Sequence, residues 1–156
     1  MEYFSVMKAA TINELKQELL NEKPAKLVEL CIRLARFKKE NKELLTYLLF
    51  EAHDTEAYIK SVIQEMGINF ETINKSNAYF VKKTLRKILR ITNKFIRYSG
   101  SDIVATELLI HFCKTVQQMD KLITTNQIII NIYQNQLKKI KKAIAAMHED
   151  LQYDYL

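Results

Sequence analysis

This chain is poor in the residues that make turns. Two glycines and one proline in 156 residues leave almost no turn punctuation for hairpins, which points to an all-α chain. With Gly67 and Gly100 alone, no glycine-rich phosphate loop or dinucleotide fingerprint can be assembled. Tryptophan is absent, and the two cysteines, Cys31 and Cys113, stand singly within apolar helical patterns. They read as small core residues in a reducing compartment, not as a disulfide framework. Long apolar runs are missing too. Leu44 to Phe50 is broken by Thr46 and falls far short of a bilayer-spanning segment. The stretch from Met1 to Ala10 carries Glu2 and no long apolar run, so no secretory signal is read there and the expected location is cytoplasmic.

What the chain does contain is Leu, Ile, Lys, Glu and Ala at helical spacings. The expectation is an all-α fold of about six to seven helices, arranged as an antiparallel bundle or a short array of helix pairs. Residues 1–148 are read as one helical domain, and residues 149–156, HEDLQYDYL from the second letter on, as an acidic and aromatic tail.

Charge is distributed unevenly. Residues 1–60 hold 10 Lys+Arg against 10 Asp+Glu, and residues 99–156 hold 6 against 6. Residues 61–98 hold 8 against 2, so the whole net charge of +6 sits there. Within Thr72–Tyr98 there are eight cations and no carboxylate. On a helix, Val81, Leu85, Ile88, Thr92 and Phe95 make one apolar stripe. Lys83, Arg86, Lys87, Arg90, Lys94 and Arg97 recur at the same spacings on the opposite side. The predicted element has a buried seam and a cationic outer face, with Tyr79 and Tyr98 as aromatic anchors at its ends.

Elsewhere the signals are local. Thr11 and Glu14 have capping-box spacing and open a short helix to about Asn21, with Ile12, Leu15 and Leu19 inward. Pro24 suits the first position of a second helix to roughly Lys39, with Leu27, Leu30, Cys31, Leu34 and Phe37 as its stripe. After a break near Glu40–Asn41, a third helix from Lys42 to His53 is expected to be central, because LLTYLLF is apolar on more than one side. Asp54 caps a fourth helix, Thr55 to Met66, stopped by Gly67. The basic helix begins at Ser76 or Asn77 and ends at Ser99-Gly100. Ser101 or Asp102 caps the next, with Ile103, Leu108, Leu109, Phe112 and Val116 inward. Thr124 and Gln127 again have capping-box spacing, opening a last helix to about His148 with Ile129, Ile132, Tyr133, Leu137, Ile140 and Ile144 as its apolar side.

An internal echo accompanies this order. Glu43-Leu44-Leu45 and Glu107-Leu108-Leu109 each follow a helix with a basic outer side. The implied helix pairs, 24–53 and 79–118, resemble the pairing of HEAT-like α-solenoids.

No catalytic pattern is found. His53, His111 and His148 fit no metal-binding spacing, and a di-metal carboxylate site would need Glu-x-x-His on two helices. Glu107 and His111 stand four apart and are read as a helix-surface hydrogen bond; His53, beside Glu51 and Asp54, is read as a satisfied histidine at a helix C-terminus, with part of a polar site as the alternative. No metal, cofactor or catalytic residue is therefore assigned, and an enzyme is not expected. The expected function is a helical protein-interaction or scaffold module. Its partner-binding residues are Lys83, Arg86, Lys87, Arg90, Lys94 and Arg97, facing a protein with an acidic surface. The alternative is sequence-tolerant binding of RNA or DNA through the basic helix 76–98. A homodimer is a further option for covering the apolar sides of Leu44–Phe50 or Ile128–Ile132.

Overall fold

A computed structural model describes residues 7–155, apart from the side chains of Leu122 and Ile123. The expectation about a signal peptide rests mainly on residues outside this range. Among the described residues there is no strand: the chain is all-helical. It divides into two compact units, residues 1–45 and 46–156.

The first unit contains helices α1 (Ile12–Leu20), α2 (Pro24–Phe37) and most of α3 (Lys39–Thr46). The Thr11 capping box closes in both directions. Thr11 Oγ1 accepts from the Glu14 N–H at 3.2 Å, and the Thr11 N–H donates to Glu14 Oε2 at 3.3 Å. Pro24 stands at the start of α2, where its missing N–H leaves no bond unmade. The break after α2 is at Lys38, whose backbone is extended, two residues before the expected Glu40–Asn41. Asn41 instead starts its own tie, donating from Nδ2 to the Leu34 carbonyl at 2.8 Å.

Burial in this unit departs from the sequence reading. Ile12, Leu15 and Leu19 are exposed, Ile12 by 82%. In α2, Leu27 and Leu30 are half-buried, whereas Cys31, Leu34 and Phe37 are exposed. Among residues 7–45 not one side chain is buried. The local pattern made amphipathic helices as expected, but two short helices cannot enclose a stripe between them.

The second unit opens with a π-helical turn, Tyr47–Glu51. The expected central position of 42–53 fails here, since Leu48, Leu49 and Phe50 are all exposed. A π turn advances the chain by an extra residue, which rotates this apolar run off a single inward face. Tyr47 alone turns inward, its ring 4.7 Å from that of Tyr58.

Helix α4 (Thr55–Glu71) is capped by Asp54, whose Oδ1 accepts from the Ala57 N–H at 3.0 Å. It runs straight through Gly67, correcting the expected stop at Met66. The stripe Tyr58, Val62 and Met66 continues to Phe70, whose ring lies 5.7 Å from that of Phe112. That packing outweighs the roughly 1 kcal/mol that a glycine costs inside a helix.

Helix α5 (Ala78–Ser99) starts at an Asn77 cap and ends, at the stop foreseen from the sequence, at Gly100, whose φ of 58° is left-handed. Ser101 caps α6 (Asp102–Gln117). The last long helix, α8 (Gln127–Ala145), is capped by Asn126, not by Thr124, because Thr124 closes a short preceding helix α7 (Lys121–Thr124). It stops at Ala145, three residues short of His148, which caps a further turn, α9 (Glu149–Gln152). A 3₁₀ turn, Tyr153–Tyr155, follows.

Helices α4, α5, α6 and α8 enclose one core, with α6 in contact with the other three. Helix α6 contributes Val104, Leu108, Leu109, Phe112, Cys113 and Val116, and Phe112 is 0% exposed. Val81, Leu85, Ile88 and Thr92 of α5 are buried as the stripe required, and Phe95 packs against the core from its edge. Thr92 satisfies its hydroxyl by donating to the Ile88 carbonyl at 2.8 Å. Buried Gln136 donates from Nε2 to the Ile132 carbonyl at 3.2 Å, while its Oε1 accepts nothing from the described residues.

Candidate functional site

The core side of α5 explains why its outer side is presented in a fixed orientation. Val81, Leu85, Ile88, Leu89 and Thr92 anchor the helix over most of its length. The remaining sector consists of Lys83, Arg86, Lys87, Arg90 and Arg97, all exposed, with Lys94 half-buried. Lys94 Nζ lies over the Phe95 ring, 5.7 Å from its centroid, so its charge is drawn toward the aromatic face. From Lys83 to Arg97 the face runs about 21 Å at 1.5 Å per residue. All six sequence-predicted residues therefore share one sector of one helix.

No carboxylate occurs anywhere on α5. Among the described residues, none of Lys83, Arg86, Lys87, Arg90 or Arg97 has an acidic partner within 4.0 Å. Ion pairs among the described residues include Lys26–Glu29, Lys39–Glu43 and Lys60–Glu56, none of them on α5. Like charges crowded on one helix repel at three- and four-residue spacing, and with no carboxylate among its own residues the helix carries a local positive potential.

Its aromatic ends differ. Tyr79 is 58% exposed at the N-terminal end and stands four residues before Lys83, in line with the cations. Lys82 Nζ lies 5.3 Å from its ring centroid, and Phe80 meets it edge-on at 5.5 Å. Tyr98 at the other end is half-buried, set edge-on to Phe95 at 6.2 Å. Tyr79 is available as an anchor; Tyr98 belongs to the packing. Phe80 was not singled out in the sequence, although its adjacency to Tyr79 was the available signal.

Among the described residues, four titratable groups elsewhere are shifted by burial. Glu107 and His111, read as a helix-surface pair, are engaged differently: Glu107 Oε1 accepts from the Tyr155 hydroxyl at 2.7 Å. Burial first, then the hydrogen bond to Glu107, push the Tyr155 phenol up to about 12. Burial, with Lys114 adding to it, lowers the His111 pKa below its usual range. The Tyr58 hydroxyl donates to the Phe95 carbonyl at 2.7 Å, and burial raises its pKa strongly. Cys113 is buried as expected and its thiol is pushed up to about 11, whereas Cys31 is exposed, contrary to the core position read for it. His53 is exposed just beyond the π turn. Among the described residues, no group of three or more His, Cys, Asp or Glu side chains is placed to hold a metal ion, and no helix is long and apolar enough to cross a membrane.

An apolar groove in the first unit was not foreseen. It encloses about 540 Å³ between α1 and α2 and is lined by Leu15, Leu19, Leu30, Leu34 and Phe37, with Glu18, Glu22 and Arg33 among them. The signal that could have found it was the shortness of α1, only nine residues.

No family model, curated protein or solved structure matches this chain.

Proposed function

We propose that this chain is a non-enzymatic helical interaction module whose α5 face docks an acidic protein surface. The observation behind this reading is the row of exposed cations Lys83, Arg86, Lys87, Arg90 and Arg97, none of them ion-paired among the described residues, on a helix whose other side is buried. Preorganisation matters because a partner then orders the exposed side chains but not the helix that carries them. The exposed Tyr79 beside the row adds the aromatic anchor that protein interfaces favour near charged contacts.

Nucleic acid is the second reading, favoured by the complete lack of acidic residues on α5. A 21 Å cationic row follows several phosphates, with binding that depends steeply on salt. Lys and Arg contacts of this kind position a backbone without reading bases.

The test is fluorescence anisotropy of three labelled probes: an acidic helical peptide, single-stranded RNA and duplex DNA, at about 50 and 200 mM salt. The proposal expects the acidic peptide to bind most tightly and to be lost in Arg86→Glu with Arg90→Glu, with helicity unchanged. Tighter, sequence-independent binding of RNA or DNA, abolished by the same reversal, shifts the assignment to nucleic acid. If no probe binds at the lower salt, the face is only solvated and the proposal fails.

A further inference from the structure

The first unit poses a physical problem distinct from the cationic face. Helices α1 and α2 have nine and 14 residues, and isolated helices of this length are marginal in water. Their tertiary packing should supply the difference, yet no side chain among residues 7–45 is buried. Leu15 and Leu19 on one helix, and Leu30, Leu34 and Phe37 on the other, instead line an open groove of about 540 Å³. A hairpin in this condition gains most by burying its groove against another apolar face.

The charges in the groove narrow the choice of occupant. On α1 and its C-terminal flank, Leu15, Glu18, Leu19 and Glu22 follow one another at spacings of three, one and three. On α2, Leu30, Arg33, Leu34 and Phe37 repeat that spacing. One wall is therefore apolar and acidic, the other apolar and basic, in the same register pattern. Among the described residues, Glu18, Glu22 and Arg33 are in no ion pair. A partner of one sign would match one wall and oppose the other. A second copy related by a two-fold axis presents both walls in exchanged order, α1 toward α2 and α2 toward α1.

We infer that the groove between α1 and α2 is a self-association surface, in which two copies of this hairpin close into an antiparallel four-helix arrangement. The leucines and Phe37 form its apolar centre. Glu18 and Glu22 of each copy face Arg33 of the other, setting orientation more than strength. A dimer so formed carries two α5 faces, which raises the avidity for an extended acidic partner without any new contact on α5.

The full chain, followed by sedimentation equilibrium across a concentration series, provides the test. Wild type is expected to dimerise, and Leu34→Glu to be monomeric while the second unit keeps its melting transition. Arg33→Glu makes both walls acidic; Glu18→Arg with Glu22→Arg makes both basic. Each of these is expected to weaken self-association at least about tenfold, as like charges now meet. Mixed together, the two variants should form a heterodimer. Because every substituted side chain is exposed, folding is not at stake. A wild-type chain that stays monomeric at about 100 μM, far above the Kd of a stable dimer, overturns the inference. So does a dimer insensitive to Leu34→Glu, or the absence of a heterodimer in the mixture.

Discussion

The echo between Glu43-Leu44-Leu45 and Glu107-Leu108-Leu109 sets two nearly identical strings in opposite environments. Leu108 and Leu109 are buried in the middle of α6, which touches the other three long helices of its unit. Leu44 is exposed and Leu45 only half-buried, in a unit where none of the described side chains is buried. The same contrast holds for the cysteines and for the large aromatics. Cys113 and Phe112 lie inside the second unit, whereas Cys31 and Phe37 lie on the surface of the first. An apolar helical stripe thus specifies a face that wants cover. Only the number and length of neighbouring helices decide whether the cover comes from the same chain.

Thiol chemistry should show the contrast most strongly. At sub-micromolar protein, Cys31 is expected to react with a maleimide at nearly the rate of a free peptide thiol. Cys113, buried and with its pKa pushed up to about 11, must wait for the core to open and should react at least about a hundredfold more slowly. Equal rates would mean that α6 is not enclosed.

Truncating the paired aromatics comes next. Phe112→Ala should cost about 3–5 kcal/mol of the second unit's stability, through lost burial and a residual cavity. Phe37→Ala, at a side chain 77% exposed, should leave that transition within about 0.5 kcal/mol. Chemical denaturation of both variants would measure this. A large loss in Phe37→Ala would show the two regions to be energetically one.

The smallest effect is on pH dependence. Tyr58 and Tyr155 both have folded pKa values above the unfolded value of 10.0. Their contribution is therefore complete below pH 10 and declines as the pH rises above it, since the unfolded chain ionises first. No tyrosine lies among residues 7–45, so this loss belongs to the second unit. Thermal melts from pH 9 to about 11.5 should fall for wild type and less steeply for Tyr58→Phe, which separates the effect from lysine deprotonation. Parallel curves would refute the burial of Tyr58.

Much of the fold was legible locally, because caps and stops act within one turn of chain. The Thr11–Glu14 box, Pro24, Asp54, Asn77, Gly100 and Ser101 all stand where the sequence placed them. Gly67 misled because a glycine only permits a stop. The continuing stripe to Phe70, and the ring of Phe112 beneath it, kept the helix going. Thr124 misled for a related reason: its spacing to Gln127 suited a cap, but Asn126 lay nearer the helix and accepts from both Ile128 and Ile129. The six cations of the candidate face were found by spacing alone, since residues three and four apart share a face on any straight helix.

By itself, then, the sequence determined that the chain is helical, where most helices begin and end, and which side of α5 carries charge. Those are consequences of backbone capping and of a fixed 3.6-residue period. Tertiary structure alone decided which apolar stripes become core. It enclosed α6 and left the groove of α1 and α2 open, because burial depends on how many surfaces converge on a stripe, and that number is written in no single stretch of chain.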